Sequence, residues 1–282
     1  MVNDVKHLPI SKICTALEVS KSGYYKWKNK GTQPDINIEL KSSINEIVLE
    51  FPKYGYRRVT KELHRRDKNV NTKRVLRIMK ENNFLCRRKK FRPVTTQSGH
   101  GLRVYPNLAK DLVVVRLNQL WVADITYIRL VHEFVYLAAI LDLCSRKCVG
   151  WDLGRNIDSQ LTLNALSMAI NARKHLGFSG MIHHSDQGVQ YAATAYVEKL
   201  QELDIQISMS RRGNVYDNAF AESFIKTLKA EEVYMNEYET FEDVYKNIKQ
   251  FIEKMYNAKR LHSSIGYLPP DEFEAKVLNK KS

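Results

Sequence analysis

At 282 residues and 44% apolar content, the chain has room for one ordinary catalytic domain and a smaller one. No apolar run approaches the roughly 18 residues of a membrane span, the opening MVNDVKHLPI carries no leader-like stretch, and four scattered cysteines form no disulfide framework. The formal charge of +14 is concentrated, since residues 51–100 hold sixteen Lys and Arg against three acids; that asymmetry points to a polyanion and, without a wide apolar face, away from a membrane surface.

Residues 1–32 read as a short helical unit. Ile10, Ile13, Leu17 and Val19 make a rough helical stripe, followed by SKSGYYKW. A helix-turn-helix fits, with Gly23 in the turn and Tyr24, Tyr25 and Lys26 facing phosphate; equally, the aromatics could pack a tiny core. Residues 31–34 make a linker.

Residues 35–92 predict a basic, three-helix DNA-binding domain. Leu40, Ile44, Ile47 and Val48 make one stripe, Val59 and Leu63 a second, and Val75, Leu76 and Met79 a third, capped by Asn71 or Thr72. The candidate DNA contacts are Arg57, Arg58, Lys73, Arg74, Arg77 and Lys80, then the run Arg87, Arg88, Lys89 and Lys90. Residues 93–112 mix charge, Pro, Gly and Ser without periodicity and read as an interdomain linker along the DNA backbone.

The texture changes at residue 113. QLWVADITYIRL, HEFVYLAAILDL and KCVGWDLG predict an antiparallel meander. A helix capped by Asp158 follows, then strand MIHHSD, a helix through Val197, Leu200 and Leu203, strand IQISMS, and a helix from about Asp217. That order, β-β-β-α-β-α-β-α, is the order of the ribonuclease H-like fold, an α/β architecture with a mixed five-stranded sheet and flanking helices. It assigns residues 113–275 to a catalytic core. Cys144 and Cys148, four apart in strand-like sequence, read as simple thiols without the partners of a zinc site.

Three acids stand out in that core. Asp124 sits inside an apolar, β-branched run, Asp186 ends another, and Glu222 begins a helical stretch thirty-five residues further on. In the predicted topology Asp124 lies on the central strand, Asp186 leaves its neighbour, and the helix of Glu222 crosses nearby. Three converging carboxylates ionise together only when divalent cations neutralise them, which is the arrangement of a two-metal phosphoryl-transfer site. Lys229 follows Glu222 by seven residues and shares its helical face. Lys226, at i+4 from Glu222, is explained by an intrahelical ion pair. Asp142 reads as structural, near the Ser145–Arg146 turn. His184 reads as a hydrogen-bonding residue orienting the aspartate or DNA. Gly188, Gln190 and Tyr191 shape the loop after the strand, and Gly213, Asn214 and Asp217 form a polar loop.

The strings SGYYKW, KYGYRRV, WVADITYI, LDLCSRKCVGW, HSDQGVQY, RRGNVYDNAFAESFIKTLK and YNAKRLHSSIGYLPPDEF occur in order from about residue 20 to residue 273. Together they resemble the integrase-type transposase of the bacterial IS3 insertion-sequence group, second reading frame. The resemblance implies a DDE enzyme that cleaves and joins double-stranded DNA with Mg2+, for which Mn2+ can substitute. It implies metal ligation by Asp124, Asp186 and Glu222, and a basic residue at Lys229 contacting DNA beside the scissile phosphate. It also implies a homo-oligomer on DNA in the bacterial cytoplasm, a family tail at 256–273 packed on the catalytic domain with Arg260 on DNA, and an upstream frame that supplies a leucine zipper. No heptad repeat is present here, so that frame or a fusion with it is an expected partner. The rival readings are a metal nuclease of the same fold and a DNA-binding regulator of transposition.

Overall fold

A computed structural model describes residues 9–30, 37–86, 103–211 and 218–279. The basic run Arg87, Arg88, Lys89 and Lys90, residues 93–102 of the expected linker, and Gly213, Asn214 and Asp217 lie outside the described residues.

Helices α1 (Ile10–Ala16) and α2 (Lys21–Lys30) form the N-terminal pair. Gly23 is inside α2 rather than in the turn, and its N–H is capped by Ser20 Oγ at 3.0 Å. Tyr24 is buried, whereas Tyr25 and Trp27 are exposed. The second unit contains α3 (Ile38–Glu50), α4 (Tyr56–Arg65) and α5 (Thr72–Glu81). Asn71, not Thr72, caps α5 by accepting from the Lys73 N–H. Ile44, Ile47, Val59, Leu63, Val75, Ile78 and Met79 close a fully buried core from these helices.

The catalytic unit is a five-stranded sheet. Its strands are β1 (Leu120–Arg129), β2 (Phe134–Asp142), β3 (Cys148–Gly154), β4 (Ile182–Ser185) and β5 (Gln206–Met209), in the order β3-β2-β1-β4-β5. β1 pairs antiparallel with β2 and parallel with β4. The other elements are α6 (Ser159–Arg173), α7 (Thr194–Gln201), α8 (Ala219–Glu231), α9 (Phe241–Gln250) with its π-helical continuation (Phe251–Asn257), and α10 (Pro270–Asn279). Strand alternation divides β1 between two cores. Leu120, Val122 and Ile128 join Ala221, Phe224, Ile225 and Leu228 of α8. Trp121 and Ala123 join the α6 and α7 side. Asp124 shares the parity of the first set, so β1 presents it on the side that α8 covers.

Asp158 caps α6 by accepting from Leu161 N–H at 3.0 Å, and α6 lies close against β3. A Cβ on Gly150 would stand 2.2 Å from the Ala165 carbonyl oxygen and 2.7 Å from Ala169 Cβ. Gly150 is therefore a packing residue. The strand-like segment around the two cysteines is broken: Cys144 lies in the β2–β3 turn and Cys148 in β3, so they do not share one strand face.

The tail between the π-helical segment and α10 does more than pack on the catalytic unit. Leu261 is fully buried in the core of α3–α5. Its N–H donates to Tyr54 Oη at 2.7 Å and its carbonyl accepts from Arg58 Nε at 3.1 Å. Lys259–Glu50 at 2.8 Å and Arg65–Glu272 at 2.7 Å add exposed ion pairs, each worth about 0–1 kcal/mol. Burying one leucine side chain contributes about 1.5–3 kcal/mol, so the apolar plug outweighs either bridge in fixing the helical unit to the tail.

Candidate active site

Asp124 pairs with Ala139 across β1–β2 and accepts a 2.9 Å hydrogen bond from Ile125 N–H on Oδ1. Asp186 directly follows β4, the parallel neighbour of β1. Its Oδ1 accepts from Gly188 N–H at 2.9 Å. A Cβ at Gly188 would come to 2.9 Å from that same oxygen, so a side chain there would displace the carboxylate from its present position. Glu222 lies in the first turn of α8, where the helix dipole favours a negative charge.

The three acids share one field. The Asp124 carboxyl is pushed up to about 7, first by burial and then by the negative charges of Asp186 and Glu222, against the Ile125 amide and the Lys229 ammonium. This is what like charges do in a site with little solvent. An all-carboxylate donor set of hard oxygens suits Mg2+ or Mn2+. The cage is not closed, because among the described residues no three such side chains already surround one point. Glu222 is held 2.9 Å from Lys226 Nζ in the intrahelical pair its spacing implies.

Lys229 is placed differently from a DNA-facing lysine. It is buried, with Nζ 4.3 Å from the Tyr127 ring centroid. Burial lowers its pKa and Asp124 raises it, which puts Lys229 on the site's side of α8 but not in solvent. Arg260 is also buried, and two of its three guanidinium nitrogens, Nε and Nη2, donate to Glu231 at 2.7 and 2.8 Å; it does not project into solvent. Arg58 is half-buried against the tail. Arg57, Lys73, Arg74, Arg77 and Lys80 are exposed. Arg74 also reaches Asn37 Oδ1, at 2.7 Å through Nη2.

Asp142 is structural. Fully buried, it accepts from Asn118 N–H at 2.8 Å and Cys144 N–H at 2.9 Å, shaping the β2–β3 turn. His184 Nδ1 bonds Ser208 Oγ at 2.8 Å, tying β4 to β5. His183 Nε2 meets Tyr196 Oη at 2.9 Å, and burial holds its pKa down at about 3.

Asn218 escapes sequence reasoning, and Tyr191 is legible there only as a loop residue. Asn218 Nδ2 donates to the Ala123 carbonyl at 3.0 Å, fastening the start of α8 beside Asp124. The Tyr191 phenol is buried within electrostatic reach of Asp186 and Asp124 and has no hydrogen-bond partner among the described residues. Asn218 stands inside the string YDNAFAESF, but an asparagine before a helix ordinarily reads only as a cap.

Family models described as integrase core domain match residues 115–215 and 203–270, and an HTH-like domain matches 35–92. The Insertion element IS600 31 kDa protein of Shigella sonnei is 35% identical, covering 94% of this chain and 98% of that protein. Transposase InsF of insertion sequence IS3A from Escherichia coli K12 is 34% identical, covering 95% of each. Among solved structures, the HTLV-2 integrase catalytic core domain in complex with magnesium aligns at TM-score 0.42 and 15% identity, covering 55% of this chain and 95% of that one. The Mos1 mariner transposase catalytic domain aligns at TM-score 0.42 and 12% identity, covering 48% and 70%. With a mixed sheet of integrase order, three acids in one field and relatives matched along nearly their whole length, this chain belongs to the IS3 family of insertion-sequence transposases.

Proposed function

We propose that this transposase cuts and joins DNA strands at Asp124, Asp186 and Glu222, with Mg2+ or Mn2+ held by those carboxylates. The observation that carries the reading is the raised Asp124 carboxyl, which burial and two neighbouring acids keep from ionising freely until positive charge arrives. When bound, the divalent cations would supply activation of the attacking water or 3′-hydroxyl and stabilisation of the leaving oxygen. The chain's own part is placement. Gly188 and its amide set the Asp186 carboxylate, Asn218 sets the start of α8, and Tyr191 keeps water from the aspartate pair. Lys229, next to Asp124, stands ready to balance charge on the phosphate that reacts there.

DNA reaches this site from the basic helical unit, where Arg57, Lys73, Arg74, Arg77 and Lys80 offer exposed phosphate contacts. Such contacts position DNA but read no sequence. We assign recognition of paired element ends to a homo-oligomer formed with the upstream-frame product or as a fusion to it. The test is incubation of the purified chain with a pre-cleaved end duplex and Mg2+. Joined strands support transposition, hydrolysis alone supports a nuclease, and binding alone supports a regulator.

A further inference from the structure

A second cationic place lies on another side of α8. A cleft of about 250 Å³ opens between α4, α8, the β2–β3 turn and the tail. Water takes about 30 Å³ per molecule in the liquid, so the cleft has room for a tetrahedral oxyanion with some of its hydration. Arg58, Arg146 and Arg260 border it, with the hydroxyls of Ser223, Thr227 and Ser264. Their charges are unevenly answered. Arg260 is answered in full by Glu231. Among the described residues, Arg58 and Arg146 have no carboxylate at ion-pair distance, and Arg146 Nε has no acceptor. Asp142, the one acid on the lining among the described residues, has its oxygens on the Asn118 and Cys144 amides. Burial and then the Arg260 charge lower the pKa of Arg58, against the Glu231 charge, which marks guanidinium groups crowded together.

Backbone and packing hold this crowding in place. Arg146 has φ of +66°, a left-handed conformation that costs an L residue about 1–2 kcal/mol and is routine only for Gly, Asn or Asp. Its guanidinium lies 4.3 Å from the Phe220 ring centroid, so the side chain is braced rather than trailing in solvent. A long cation held at a turn position that suits asparagine needs a reason beyond the turn.

We propose that this cleft is a phosphate-group site, with Arg146 and Arg58 as its principal donors, occupied by a backbone phosphodiester when DNA is bound. The occupant would touch the helical unit through Arg58, the sheet through Arg146, and α8 through Ser223, which adjoins Glu222 in sequence. One phosphate would so tie the DNA-binding unit to the helix that carries the third acid. The duplex half of this claim rests on the DNA-binding reading above; the phosphate half does not.

The test uses the whole chain and two probes. The first is the melting temperature in sodium phosphate against sodium chloride at equal ionic strength; the second is the salt dependence of duplex binding. Arg146→Asn suits the left-handed turn and removes the cation. It should lose the phosphate-specific rise in melting temperature and reduce the log–log salt slope by about 0.9, the value for one neutralised duplex phosphate. Arg146→Lys should restore part of both. Thr227→Glu, which puts a carboxylate on the cleft wall, should repeat the loss and serves if Arg146→Asn folds poorly. Loss of the phosphate effect with an unchanged slope supports a site for free anions and overturns the duplex assignment. Variants that match wild type in both measurements overturn the site. Neither readout needs strand transfer, so a chain that joins no DNA but shows these differences would sink the catalytic proposal alone.

Discussion

Replacing Asp124 with Asn should stabilise the metal-free protein while it removes a proposed metal ligand. Burial, Asp186 and Glu222 raise the Asp124 carboxyl from 3.8 to about 7. At 1.36 kcal/mol for each tenfold change in proton affinity, that is about 4 kcal/mol between its two protonation states. The native state binds this proton more tightly than the unfolded chain does. Between pH 4 and 7 it therefore holds more protons, and its stability falls as pH rises through that window. Below pH 4 aspartic acid and asparagine are both neutral and the two proteins should be about equal. Above pH 7 the wild type carries the full penalty, and Asp124→Asn should be more stable by up to about 4 kcal/mol. Urea unfolding of both proteins in EDTA at several pH values between 4 and 8.5 gives the difference, which includes the easier ionisation of Asp186 and Glu222 once the Asp124 charge is gone. Adding Mg2+ at pH 8 should narrow the gap by stabilising the wild type alone. A variant less stable at pH 8, or a difference that does not change with pH, would refute the reasoning.

Three further outcomes follow from other parts of the molecule. Neutralising Lys73, Arg74, Arg77 and Lys80 together should flatten the salt dependence of duplex affinity by about 0.9 of log–log slope for each phosphate no longer neutralised, and an unchanged slope would place the DNA surface elsewhere. Leu261→Ala empties a fully buried position in the α3–α5 core and should cost about 2–5 kcal/mol in denaturant unfolding; a loss under about 1 kcal/mol would show that the tail does not plug that core. Arg173→Ala should cost about 3–5 kcal/mol, because it strips the buried Glu274 of its principal partner and leaves only Lys147 at 3.4 Å, whereas a near-neutral result in the same assay would mean that Glu274 is protonated or rehydrated once alone.

The features legible in the sequence are the local and periodic ones. Strand alternation and caps such as Asp158 depend on residues a few positions apart, and the β1–β2–β3 meander follows from short connections. The aspartates are readable for the same reason, since each ends or interrupts an apolar strand. What stays hidden depends on distant partners. Arg58 has the composition of an exposed surface cation, yet the chain folds its Nε onto a carbonyl 203 residues away. Leu261 sits in a polar, turn-rich string that reads as surface, and its burial is decided by helices that precede it by some two hundred residues. Arg260 and Lys229 are cations in a family motif, but the acid Glu231 and the Tyr127 ring that receive them come from long-range packing. Cys144 and Cys148 read as neighbours on one strand until Arg146, with its positive φ, turns the chain between them.

The central claim, that three acids from three elements form one phosphoryl-transfer site, is tested most directly by strand joining. Asp124→Asn, Asp186→Asn and Glu222→Gln each remove a ligand charge with little change of shape. Each is to be compared with wild type for joined product from a pre-cleaved end duplex in Mg2+, at protein concentrations where duplex binding is saturated. The account predicts that all three bind DNA as wild type does and join none. Near wild-type joining by any one of them would remove that residue from the site and contradict the three-acid assignment.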